Sequence, residues 1–226
     1  MAAPKPRQLA LALPVEERLD LEDFLVGSSN EAAFAVIDVW PDWPEKVQVL
    51  IGPPGTGKSH LAAIWAERAG ATRVTAALLH EKDPETLAGL PALLIEDADR
   101  AGLAEAALFH LLNAVRRTGT PVLLTARAEP GLWGLKTADL LSRLRLAPLV
   151  TLESPDDALL GAILVKFFLE RQIVVDTALV EFLRARVERS VPSMRALVER
   201  LDNEALARGR RVNRALAAEI LRADAE

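Results

Sequence analysis

The sequence predicts an α/β fold: a parallel sheet sandwiched by helices, followed by a small all-helical domain. Three observations carry this. Short apolar bursts alternate with helical patterns through about residue 154. A complete G-x-x-x-x-G-K-[ST] loop joins the first burst to the helix behind it. Beyond Ser154-Pro155-Asp156 the pattern becomes purely helical. Residues 1–20 read as a flexible entry segment, 21–154 as the α/β domain and 155–226 as the helical domain.

Each element has its own signal. "VQVLI" (47–51) reads as a buried strand, and 57–69 as a helix. "RVTAALL" (73–79) and "ALLIE" (92–96) read as strands, and 103–117 as a helix with apolar residues at helical spacing. "PVLLTA" (121–126) and "PLVTL" (148–152) are two further strands, with a helical stretch at 138–144 between them. Strands separated by helices pair in parallel and are covered on both faces. Helices follow at about 156–172, 176–189, 193–208 and 213–223, with Pro155 and Pro192 as first-turn starts.

Composition narrows the function classes. With 226 residues the chain has ample core, and half of it is hydrophobic. No apolar run approaches the ~20 residues of a membrane helix. The opening "LALALP" is shorter than the ~7–15 apolar residues of a signal peptide and runs at once into Val15-Glu16-Glu17. With no cysteine, disulfides and thiolate metal sites are excluded, and the expected location is cytoplasmic. A net charge of −5 argues against a broad nucleic-acid footprint.

The chemistry begins at Gly52-Pro53-Pro54-Gly55-Thr56-Gly57-Lys58-Ser59. Glycines there let backbone N–H groups converge on phosphate oxygens at a helix start. Lys58 would reach the outer phosphates and the Ser59 hydroxyl a Mg²⁺ ion, which makes this a nucleotide site. "LLIEDAD" then supplies Glu96, Asp97 and Asp99 at the carboxyl end of a strand, where an open α/β sheet binds its ligands. One acid would hold the metal's shell and another would polarise water; Glu96 is the metal candidate and Asp97 the catalytic one. His60, His80 and His110 show no ligand-like constellation and read as structural.

These motifs resemble, in order and spacing, the AAA+ ATPases of the bacterial replication initiator DnaA, over about residues 20–223. "LEDFLVGSSNEAA" (21–33) is similar to that family's adenine-side motif, with Phe24, Val26, Gly27 and Asn30 in matching places. "GTGKSHLAA" matches its phosphate loop, including His60. "DLLSRL" (139–144) resembles the arginine-finger segment, which implies Arg143. "VPSMRALVERL" (191–201) resembles the second-sensor helix, which implies Arg195. Read without the resemblance, both arginines fit solvated helix faces better than a functional role.

The departures point within the family. The chain stops at the end of the helical domain, so no dedicated DNA-binding domain is expected. Only eleven residues, 81–91, separate two strands where the initiators place longer DNA-gripping helices. Arg127 stands where an acidic first-sensor residue is expected, which leaves Thr125 as the weaker candidate. The opening Gln8-Leu9-Ala10-Leu11-Ala12-Leu13 fits Q-L-x-L-x-L, similar to the peptide that docks replication proteins on the sliding clamp through Gln8, Leu9, Leu11 and Leu13. Together these features resemble the Hda family, DnaA-related regulators that act with the clamp to inactivate the initiator. The resemblance implies ADP or ATP as the ligand, DnaA and the polymerase sliding clamp as partners, and at most weak hydrolysis by the chain itself; composition already argues against a membrane. Self-assembly into a homo-oligomer stays open, as do a self-acting ATPase and a helicase-loader-like adaptor.

Overall fold

A computed structural model of the protein describes residues 21–100 and 102–223. The expected clamp peptide, residues 8–13, lies outside them. Contacts divide the chain into an α/β unit through Ser154 and a helical unit from Pro155.

The α/β unit is built on five parallel strands: β1 (Val47–Ile51), β2 (Thr72–Thr75), β3 (Leu93–Glu96), β4 (Val122–Ala126) and β5 (Leu149–Thr151). Their order in the sheet is β2-β3-β4-β1-β5. Alternate residues of each strand feed opposite faces, as the two-residue strand period requires. Val49, Leu93, Ile95, Val122 and Leu124 enter one core, against α3 (Pro84–Ala88), α4 (Glu105–Thr118) and α5 (Ala138–Leu146). Leu50, Leu94 and Leu123 enter the other, against α1 (Glu31–Asp38) and α2 (Lys58–Ala69). Apolar burial on both faces explains why the strands read as continuous hydrophobic runs.

Four local outcomes differ from the sequence expectation. The strand expected over 73–79 ends at Thr75 and continues as a 3-10 turn, Ala76–Glu81. Its partner explains this, because Thr75 pairs with Glu96, the last residue of β3. The chain then turns so that Ala76 and Leu79 are buried, three residues apart. Pro155 stands outside its helix: Asp156 is the cap, its Oδ1 accepting the Leu159 N–H at 2.8 Å, and α6 runs Asp157–Glu170. The second helix expected in this region is shorter than the pattern suggests. Helix α1 and the short α3 have no counterpart among the elements that periodicity predicts.

Helix α1 exists because it has a partner. Ala33 and Ile37 pack into the α2 face, and Trp43 donates Nε1–H to the Val36 carbonyl at 2.6 Å. Trp43 also stacks on Trp65 of α2 with ring centroids 5.1 Å apart.

The helical unit comprises α6, α7 (Thr177–Arg184), α8 (Val191–Arg208) and α9 (Arg214–Ala223). Side-chain caps start each of the last three, from Asp176, Ser190 and Asn213. Pro192 sits in the first turn of α8, as expected. The buried residues Leu160, Leu164, Phe168, Leu183, Met194, Val198, Leu201 and Leu216 form the apolar faces of these four helices. Among the described residues no helix is long and apolar enough to cross a membrane.

Candidate functional site

The phosphate loop leaves the carboxyl end of β1 and enters α2. Its glycines are required by geometry. Gly55 and Gly57 have φ of 77° and 100°, in the left-handed region. At Gly52 a Cβ would fall 2.2 Å from the Leu152 carbonyl oxygen, so close approach of two backbones excludes any side chain. The buried Thr56 closes the turn by donating its hydroxyl to the Pro53 carbonyl at 3.0 Å.

Lys58 donates Nζ–H to the carbonyls of Gly52 (2.7 Å) and Pro53 (2.8 Å), which folds the ammonium over the loop. Burial holds its pKa below the usual lysine value of 10.5; Asp99 opposes that shift, Arg127 adds to it, and Asp97 opposes it. Ser59 is exposed in the first turn of α2.

The adenine-side segment 24–30 is ordered by one side chain. Asn30 Oδ1 accepts the Gly27 N–H at 2.8 Å, and its Nδ2 donates to the Leu25 carbonyl at 2.9 Å. Both ends of the buried amide therefore hold the backbone, so Asn30 shapes the segment around a ligand rather than facing one. Phe24 stacks on Phe34 (5.9 Å) and meets His60 edge-on (5.3 Å), forming an aromatic wall next to Gly57. Val26 projects from the same segment with 48 % of its surface exposed.

The strand-end acids are arranged differently from the sequence reading. Glu96 is ion-paired with Arg73 of the neighbouring strand at 3.4 Å. Asp97 adopts a left-handed φ of 58°, uncommon for a residue other than glycine, and pairs with Arg100 at 3.2 Å. The turn is pinned by β4: the Asp97 N–H donates to Thr125 Oγ1 (3.2 Å) and the Ala98 N–H to the Thr125 carbonyl (2.8 Å). Asp99 Oδ2 accepts the Arg127 N–H at 2.8 Å, while its buried Oδ1 has no hydrogen-bond partner. These donors fit a divalent cation poorly. Ser59 offers a free approach and Asp99 one unpartnered oxygen, but Glu96 and Asp97 already face arginines.

Arg143 occupies the opposite end of the sheet. It lies in the last turn of α5, which ends just before β5 begins, whereas the phosphate loop leaves the far end of β1. Arg143 lines a groove with Glu45, Lys46 and Val47 at the start of β1, so the five residues of that strand, about 16 Å, separate it from the loop. The Arg143 guanidinium rests over the Phe109 ring of α4 at 5.1 Å and lines an open groove of about 550 Å³ with Glu85, His110, Asn113, Arg116 and Arg117. Arg145 points elsewhere, toward Gly131. Glu105 anchors the start of α5, accepting the N–H groups of Lys136 (3.0 Å) and Thr137 (2.8 Å). Arg195, on α8 of the helical unit, lies over the Phe167 ring at 4.3 Å and pairs with Glu170 at 3.5 Å.

A phosphate loop at the first strand of a 2-3-4-1-5 parallel sheet, with a helical unit after it, defines the AAA+ fold. In sequence and in fold the chain is similar to the AAA+ domain of DnaA. It is 26 % identical, over 245 aligned positions, to the chromosomal replication initiator protein DnaA of Thermomicrobium roseum, covering 96 % of this chain and 53 % of that one. The chain thus spans about half the length of the curated relative it matches. No family model matches it. Domain III of Thermotoga maritima DnaA superposes with a TM-score of 0.76 at 20 % identity, over 93 % of this chain and 98 % of that one. A replication initiator DnaA bound to AMPPCP and single-stranded DNA gives 0.69 at 19 %, over 81 % and 64 % of the two chains. The Thermotoga maritima RuvB Holliday junction branch migration motor gives 0.64 at 19 %, over 79 % and 61 %.

Proposed function

We propose that this protein is a nucleotide-binding regulator of replication initiation that docks on the sliding clamp and promotes hydrolysis of ATP held by DnaA. The observation that carries the reading is the place of Arg143, at the end of the sheet remote from the chain's own phosphate loop. A guanidinium there cannot reach the chain's own nucleotide. It can complete the site of a molecule packed against that end, stabilising charge that develops during phosphoryl transfer.

On this reading the phosphate loop, Phe24, Val26 and His60 hold ADP or ATP, and Asn30 shapes the adenine side. Arg195 is the second-sensor residue of the helical unit. A Mg²⁺ ion carried in with the nucleotide would meet Ser59, whereas Glu96 contributes little while Arg73 holds it. Gln8, Leu9, Leu11 and Leu13 engage the clamp, which brings the chain to replicating DNA. Turnover by the chain alone is weak, because Asp97 faces Arg100.

The test is hydrolysis of DnaA-bound ATP with clamp-loaded DNA and this chain, omitting each component in turn. The reading requires that all three be present, and that Gln8→Ala with Leu9→Ala abolish stimulation without weakening nucleotide binding. A second reading, a self-assembling ATPase, has support in the same placement, since another copy could receive Arg143. Brisk hydrolysis by the purified chain, rising steeply with its concentration, would favour it.

A further inference from the structure

We propose that Arg127 is a second side-chain cation for the nucleotide phosphates, acting beside Lys58 and making the grip on nucleotide largely independent of a divalent ion. The inference rests on the nucleotide reading above and deepens it.

Sheet register supplies the placement. Ala126 pairs with Ile51, so the next residues, Arg127 and Gly52, leave adjacent strands side by side, about 4.8 Å apart. Arg127 therefore stands level with the first glycine of the phosphate loop. Its backbone is fixed, because its N–H donates to Asp99 Oδ2 at 2.8 Å. Asp99 is in turn held by the turn that Thr125 pins. The Arg127 residue is exposed, and its guanidinium makes no hydrogen bond or ion pair among the described residues. Arg73 and Arg100 are each paired to a strand-end carboxylate; Arg127 is not. Lys58 Nζ donates to the Gly52 carbonyl at 2.7 Å, so its ammonium sits at the glycine that Arg127 stands beside.

Two like charges held close together cost free energy unless an anion lies between them. A nucleotide's outer phosphates are such an anion, and a planar guanidinium meets phosphate oxygens with two donors at once. The carboxylates point the same way. Metal-dependent binding needs acids turned toward the metal's shell, but Glu96 and Asp97 are each engaged by an arginine. Positive charge that a divalent ion would bring is supplied here by Arg127.

The test is isothermal titration of the full chain with ADP and with AMPPCP, in Mg²⁺ and in EDTA. The parent should change its Kd by less than about threefold when Mg²⁺ is removed. Arg127→Ala should weaken binding in EDTA by about ten- to a hundredfold, the usual worth of a hydrogen bond to a charged group, and regain part of it in Mg²⁺. Arg127→Lys should fall between, keeping the charge but losing the fork. Folding should survive, since the backbone N–H to Asp99 remains; melting followed by tryptophan emission checks it. If Arg127→Ala binds in EDTA as the parent does, or if the parent itself loses tenfold or more in EDTA, the inference is overturned. Lys58→Ala separates the two levels. A parent that binds no nucleotide, or a Lys58→Ala protein that binds as the parent does, overturns the nucleotide reading itself.

Discussion

Replacing Arg143 with alanine should separate assembly from activation. Its visible contact in the folded chain is modest: a half-buried guanidinium 5.1 Å from the Phe109 ring. Such a contact contributes about 0.5–1 kcal/mol. For a chain of this size that lowers Tm by roughly 1–4 °C. A trans-acting finger works on another scale, on the order of 10³–10⁵ in turnover, or about 4–7 kcal/mol of transition-state stabilisation. The variant should therefore fold, bind nucleotide and bind the clamp, yet leave DnaA-bound ATP nearly unhydrolysed. The assay is single-turnover hydrolysis of DnaA-bound ATP on clamp-loaded DNA, with variant saturating. Arg145 is the internal control, since it is directed toward Gly131 and lies about 200° around the helix from Arg143. Stimulation by Arg143→Ala equal to the parent's would refute the mechanism. A dead Arg145→Ala beside an active Arg143→Ala would move the finger two residues along.

Three further outcomes follow from the same geometry. Asn30→Ala removes both backbone hydrogen bonds of the adenine-side segment and should cost about 2–3 kcal/mol, read as a fall in Tm of roughly 4–12 °C, with nucleotide affinity falling as well. Gly52→Ala forces a Cβ against the Leu152 carbonyl at a φ of 155°; about 2 kcal/mol or more should be lost and ligand-induced thermal stabilisation should vanish. Glu105→Gln should weaken stimulation of DnaA while sparing nucleotide binding, because it loosens the start of the helix that carries Arg143. Backbone N–H groups of Lys136 and Thr137 hold the Glu105 pKa below the ordinary 4.5. Its stabilisation is present above that value and lost as pH falls through the lowered one, so melting of variant and parent should converge in acid.

What the sequence disclosed and what it concealed divide along one line. Strands, phosphate loop and most helices are legible because each is written in a short window of apolar periodicity or glycine spacing. Helix α1 is not, since its reason is tertiary: it covers α2 through Ala33, Ile37 and the Trp43–Trp65 stack. The overlong strand at 73–79 fails for a related cause, because its end is set by where β3 stops. Within the site, the loop residues can be named from spacing alone. The engagement of Glu96 by Arg73 cannot, because 23 positions separate them and only sheet register brings them together. The Asp99–Arg127 contact, across 28 positions, is hidden in the same way. The Asp97–Arg100 pair, three residues apart, is the one engagement that local spacing could have signalled.

The left-handed Asp97 ties these observations together. With φ at 58° the chain reverses just after β3, and two N–H groups are captured by Thr125 of β4. That reversal sends the Asp97 carboxylate to Arg100 and carries Asp99 back beneath Arg127. Among the carboxylates acting on Lys58, Asp99 outweighs Asp97, although Asp97 follows the strand directly. An acid that polarises water must reach the terminal phosphate with its carboxylate unengaged. Asp97 is held by a neighbouring cation, and Asp99 is held by a backbone N–H that fixes Arg127. On the proposed reading the site holds phosphates, with the buried Asp99 Oδ1 left unpartnered among the carboxylate oxygens of this turn. Under the proposed function the two requirements fall to opposite ends of one sheet: retention to the loop beside Arg127, and transition-state charge to Arg143. On that proposal the arginine has its effect at a second molecule's hydrolytic site, so the proposed function assigns the chain a trans role rather than turnover of its own nucleotide.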